Sequence, residues 1–151
     1  QLGKAINVDP YSILFIGSSA IGVSLNPYKD FRPFDETSDI DLAIVSNYYF
    51  NLSWHFLRNS THLRTHLDAK SLTAWDDHVH RLIYWGTIAT DKLIGLLPFG
   101  KQWLQAMNEM TRVHPTFGRQ INLRIYSDYD SLRAYQVMSV KTTRELLLKE
   151  N

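Results

Sequence analysis

Two carboxylates one residue apart, Asp39-Ile40-Asp41, run into Leu42-Ala43-Ile44-Val45. Apolar residues at 40, 42 and 44 mark a strand, and strand side chains alternate between faces, so Asp39 and Asp41 share one face. Carboxylates crowded this closely repel unless a cation lies between them. A hard ion that prefers oxygen, Mg2+ or Mn2+, suits them and completes its shell with substrate phosphate oxygens. Upstream, the apolar run Ile13-Leu14-Phe15-Ile16 stops at Gly17 and passes through Ser18, Ser19, Ala20 and Ile21 to Gly22. A glycine–serine turn that opens a helix offers backbone N–H groups and hydroxyls to an anion. Polyphosphate at one end and metal-binding carboxylates at the other are the parts of a metal-assisted phosphoryl or nucleotidyl transfer site. Each part is ordinary alone. The weight lies in their order: strand, turn, helix, loop and acidic strand within 13–45.

The segment Gly17-Ser18-x-x-x-Gly22, followed by Ser38-Asp39-Ile40-Asp41-Leu42, resembles the signature of the DNA polymerase β-like nucleotidyltransferase superfamily. Its relatives include minimal and antibiotic nucleotidyltransferases, CCA-adding enzymes and bacterial cyclic-oligonucleotide synthases. The resemblance is specific over 13–45 and loose elsewhere. It implies that Ser18, with Gly17 and Ser19, binds the phosphates of a nucleoside triphosphate such as ATP, and that Asp39 and Asp41 ligate two magnesium ions. An acceptor hydroxyl on RNA, protein, a small molecule or a second nucleotide then attacks the α-phosphate and expels pyrophosphate. The spacer before Asp39 is longer than in the most compact members, which implies an enlarged loop over the site.

The family also draws a third carboxylate from a later strand, and here the pattern departs. The strand expected over 121–126 presents Asn122, Arg124 and Tyr126 on its non-core face. Asp128, just beyond its end, is the tentative third acid, with Asp130 and Glu36 as alternatives. An arginine beside the metals would favour phosphate and weaken metal affinity. The sequence therefore supports nucleotide binding more strongly than turnover. The rival expectation is a catalytically degenerate member that binds nucleotide or a partner protein, in a toxin–antitoxin or defence setting.

These residues need a framework, and the sequence sketches one. Ile13–Ile16 reads as a buried central strand, and 26–38, with two prolines and five charges, as a surface loop. An aromatic-rich helix is expected over 48–58 and a less regular one over 60–70. Thr73 and Asp76 resemble a capping box. Behind them Val79, Leu82, Ile83, Gly86, Ala89, Leu93 and Leu97 recur at helical spacing until Pro98. Trp103, Leu104, Met107 and Met110 suggest another helix. Ile121, Leu123 and Ile125 alternate as a strand, and Asp130 or Ser131 caps a final helix reaching Leu148. The expectation is a single α/β (α+β) domain over 1–151, a small mixed sheet flanked by helices.

Bulk properties narrow the function. Sixteen Lys and Arg against fifteen Asp and Glu give a net charge of +1, which offers no concentrated basic face for long duplex nucleic acid. The absence of cysteine excludes disulfides, thiolate metal sites and cysteine nucleophiles, and points to the cytoplasm. No apolar run approaches the ~20 residues that span a bilayer. The sequence starts at Gln1 rather than Met, as expected of a processed or longer chain. Lys29 and Arg32 are loop cations placed to touch phosphate or acceptor. His62 and His66 have a zinc-compatible helical spacing but lack a third ligand nearby. Trp75, Trp85 and Trp103 read as core or interface, and Arg144–Glu150 as an amphipathic end for a partner protein or oligomer.

Overall fold

Hydrophobic alternation in two distant segments builds the centre of the molecule. A computed structural model of the chain describes residues 1–26 and 31–149. Four strands, β1 (Ile13–Phe15), β2 (Ile40–Val45), β3 (Thr87–Ala89) and β4 (Ile121–Tyr126), form one mixed sheet in the order β1-β2-β4-β3. β2 runs parallel to β4, whereas β1 and β3 lie antiparallel to their neighbours. In the β2/β4 register Ile40, Leu42 and Ile44 stand beside Ile121, Leu123 and Ile125, all buried on one face. Asp41, Ala43 and Val45 stand beside Asn122, Arg124 and Tyr126 on the other. Strand pleating thus sorts this chain into one apolar face and one face with chemistry.

Among the described residues seven α-helices complete the architecture: α1 (Leu2–Ile6), α2 (Ser18–Ile21), α3 (Asn47–Asn59), α4 (Ala69–Asp77), α5 (Thr90–Leu93), α6 (Gly100–Met110) and α7 (Tyr129–Lys149). The apolar face packs with Tyr49, Leu57, Trp75, Phe99 and Trp103. Rings of Tyr49, Phe99 and Trp103 meet edge-on or tilted at centroid distances of 4.7–4.8 Å. Aromatics of this size bury on the order of 150–250 Å2 each, roughly 4–6 kcal/mol of transfer free energy. The second face is covered by α7 through Tyr135 and Gln136, which meet Tyr126. Trp75 and Trp103 are core, as expected, and Trp85 is half-buried.

The mixed α/β class with a helix-flanked sheet agrees with the sequence; four local expectations do not. Ile13–Phe15 is an edge strand, not a central one, and Phe15 is 61% exposed. A continuous apolar run does not reveal whether a second neighbour exists. The long helix expected from Thr73 to Leu97 ends at Asp77 in a π-turn over His78–Leu82, and β3 and α5 follow. Gly86 at φ +63° turns the chain there, a conformation that L side chains resist. All three β3 residues are buried, so no alternation betrays the strand. The cap of α4 is Asp68, which accepts from Ser71 N at 2.8 Å, while Thr73 bonds to Ala69 O within the helix. Finally, 61–66 is a 3-10 turn.

His78 locks this rerouted segment. Its buried ring donates from Nδ1 to Ala74 O (2.6 Å) and accepts at Nε2 from Ala89 N (2.9 Å). A carbonyl can only accept, so the tautomer is fixed by its partners. No helix among the described residues is long and apolar enough to cross a membrane.

Candidate functional site

The end of β1 and the start of β2 are joined before any ligand is considered. Ile16 N donates to Asp41 O at 3.0 Å. Gly17 follows at φ +58°, ψ −145° as the N-cap of α2, a region nearly closed to other residues. A Cβ built on Gly17 would lie 3.4 Å from Asp41 Oδ2, so the turn and the carboxylate face each other across ordinary contact distance. Ser19 Oγ reaches Ile16 O (2.6 Å) and Asp41 O (2.9 Å), fastening α2 to β2. Ser19 was expected to touch phosphate; its hydroxyl instead serves the backbone. α2 has only four residues, too few for a substantial helix dipole.

Asp41 is half-buried and accepts at Oδ1 from Asn122 Nδ2 (3.1 Å). Asp39 is exposed and lies one residue before β2. The loop that delivers it is built on Asp35, whose carboxylate accepts from Thr37 Oγ1 (2.7 Å), Thr37 N (2.9 Å) and Ser38 Oγ (3.1 Å). Those bonds, Thr37 foremost, hold the Asp35 carboxyl below its ordinary range. Arg119, stacked 4.6 Å over Phe34, then clips the loop to the sheet by donating to Ser38 O (3.2 Å) and Asp35 O.

Besides a groove of about 670 Å3 lined by Gly17, Ser18, Tyr135 and Ser139, two neighbouring cavities result, and Asp41 lines all three. The smaller, about 230 Å3, is lined by Ser18, Ser24, Arg32, Ser38, Asp39 and Asp41. It gathers the serine and both aspartates in one place. The larger, about 440 Å3, lies beneath α7 and is lined by Gly17, Asp41, Asn122, Arg124, Tyr135 and Ser139, among others. Arg32 also pairs with Asp35 at 3.6 Å, whereas Lys29 lies outside the described residues.

The expected third acid is elsewhere. Asp128 caps α7, accepting from Ser131 N (2.7 Å) and from Ser127 Oγ (2.9 Å). Those bonds, the Ser131 amide first, hold its carboxyl below the ordinary range. β4 ends four residues beyond Asn122, roughly 13 Å along the strand direction, and Asp128 lies past that end and lines neither cavity. Asp130 pairs with Arg133 on the surface, and Glu36 is exposed in the loop. Neither lines either cavity. Asp91 does line the larger one. Ala89, the last residue of β3, stands beside Arg124, and the Thr90 hydroxyl at the start of α5 donates to Leu123 O, which brings Asp91 to this end of the sheet. The sequence hid Asp91 inside the mistaken helix; the signal to find it was the break at Gly86.

Among the described residues no three His, Asp or Glu side chains gather as a metal cage. His62 and His66 are exposed on the 3-10 turn, whose three-residue period sets them on different sides. Asp39 and Asp41 line one cavity, and two carboxylates alone do not make an all-protein centre for a hard cation, which takes six or more oxygens. Compared with protein-family models, with curated proteins and with solved structures, the chain matches none of them.

Proposed function

We propose that the chain is a nucleotidyltransferase-type domain. It binds a nucleoside triphosphate with Mg2+ or Mn2+ between the Gly17–Ser18 turn and the Asp39/Asp41 pair, and passes the nucleoside monophosphate to an acceptor hydroxyl with release of pyrophosphate. One observation carries the reading: Ser18, Asp39 and Asp41, distant in kind and separated by a loop, line a single cavity. Ser18 and the turn amides would hold phosphate oxygens, and the two carboxylates would hold the cation. The cation would neutralise charge on the phosphates and orient them. Calorimetric titration of ATP and GTP with magnesium tests it. An Asp39→Ala, Asp41→Ala double variant that binds as well as the wild type removes the metal-site assignment.

A second reading, nucleotide or partner binding without turnover, is favoured by the face that Asn122 and Arg124 occupy. The residues level with and diagonal to Asp41 on β4 are an amide and a guanidinium. Asp91 lines the cavity beneath α7 but not the one that holds Asp39; without a third acid beside the pair, positioning that can contribute several kcal/mol is lost. Incubation with α-labelled triphosphates and varied acceptors separates the two readings: a degenerate domain releases no pyrophosphate with any of them.

A further inference from the structure

Arg124 has more charge than partners. It stands on the same sheet face as Asp41, one strand across and two residues along, about 8 Å between Cα positions by standard strand spacing. No ion pair to it forms among the described residues. Its guanidinium instead stacks 5.0 Å from the ring centre of Tyr135. Nη1 is shut from solvent with no hydrogen-bond partner. A desolvated N–H on a cation is costly to leave unmade. Two acids among the described residues line this cavity with it, Asp41 and Asp91; neither forms an ion pair with Arg124, and Asp41 turns its carboxylate to Asn122 and Gly17. The stacked ring holds the guanidinium in place beforehand, so little side-chain freedom remains to be lost on binding an anion.

We propose that the cavity beneath α7 is a phosphate subsite in which Arg124 holds the anion without a metal ion. The second ligand of the site, the acceptor in the reading above on which that assignment rests, therefore carries a phosphate group. A guanidinium fork matches phosphate oxygens, and a cavity of about 440 Å3 has room for a phosphate with an organic body attached. Asn122, Gln136 and Ser139 line the same space and add polar groups around the anion. Asp41 lines both cavities: binding depends on a cation on the Ser18 side and is independent of one on the Arg124 side.

The two sides respond to one substitution with opposite signs, which makes the test sharp. In EDTA, inorganic phosphate and adenosine 5′-monophosphate are titrated calorimetrically into wild type, Arg124→Gln and Asp41→Asn. Arg124→Gln is expected to weaken binding roughly tenfold or more, the loss typical of a charged hydrogen bond. Asp41→Asn is expected to tighten it about two- to tenfold by removing a neighbouring negative charge, while abolishing magnesium-dependent triphosphate binding. Dependence on Arg124 in either arm supports the subsite, and the tighter ligand names the source, free phosphate or phosphate ester. No binding in either arm, equal binding by Arg124→Gln, or weaker phosphate binding by Asp41→Asn overturns it. Should Arg124→Gln fold poorly, the Asp41→Asn result decides alone. Magnesium-dependent triphosphate binding with no metal-free phosphate binding sinks this inference only. The converse sinks the proposed function, and with it the acceptor assignment, and leaves the phosphate subsite standing.

Discussion

Replacing Gly17 with alanine isolates the turn on which the cleft depends. At φ +58°, ψ −145° an L residue is strained by about 1–3 kcal/mol. The added Cβ meets Asp41 Oδ2 at 3.4 Å, an ordinary contact, so no steric penalty is added to the strain. The net expectation is about 2 kcal/mol of destabilisation, or about a 1 M fall in the urea midpoint at a slope near 2 kcal/mol/M. In a thermal scan the same loss is roughly 4–8 °C for a chain of this size. A turn that relaxes to escape the strain must disturb Ile16 N to Asp41 O and the Ser19 bonds. Magnesium-dependent nucleotide binding should then weaken as well. Gly95→Ala is the control, because nothing lies within 4 Å of its added Cβ; it should stay within about 0.5 kcal/mol of wild type. Indistinguishable midpoints for the two variants would refute the argument, since they would mean that the turn tolerates a side chain.

Three further outcomes follow from particular residues. Burial, ahead of every other influence, holds the His78 pKa below its ordinary value, with Lys92 and Arg124 acting in the same direction and Asp77 and the Ala74 carbonyl against. The unfolded chain takes up this proton below about pH 6.5 while the folded one does not. Unfolding free energy should therefore hold above that pH and fall as the pH drops towards the lower folded value. Denaturant titrations from pH 7.5 to 5 should show this slope, and His78→Gln should flatten it; an unchanged slope would exclude His78 as its source. Asp128→Ala should cost about 1 kcal/mol as a lost helix cap and leave nucleotide binding untouched, whereas a loss of binding would restore Asp128 to the site. The adjacent serines should divide their effects. Ser19→Ala should lower stability by about 1 kcal/mol, and Ser18→Ala should weaken triphosphate binding without moving the unfolding midpoint. A reversed pattern in the two assays would contradict the assignment.

Much of the site was legible because its parts are local. Period-two alternation placed Asp41 on one face of β2, and the same rule placed Asn122 and Arg124 on one face of β4. The glycine stop after Ile16 marked the turn. What the sequence concealed depends on neighbours. β1 looks central by composition, yet only the sheet order shows that it has one partner. Val79, Leu82, Ile83, Ala89 and Leu93 fit a helical period although the backbone between them turns at Gly86 and becomes β3. Buried apolar positions, Leu82, Ala89 and Leu93 among them, satisfy either period. Asp91 was lost with that misreading. Asp128 looked available because it follows β4 closely, and only its bonds to Ser127 and Ser131 reveal its commitment to α7.

The contact between Asp41 and Asn122 joins positions 81 residues apart, and this has a consequence for synthesis. A chain emerging from the ribosome displays its aspartate pair long before β4 exists to stand beside it. Until then the pair has no matching strand, no Arg124 and no covering helix. On the proposed function, a nucleotide would report only on chains whose last third has arrived, and its binding energy would add wholly to the finished fold. Any shortened product that stops before residue 121 should keep the motif and be blind to the ligand.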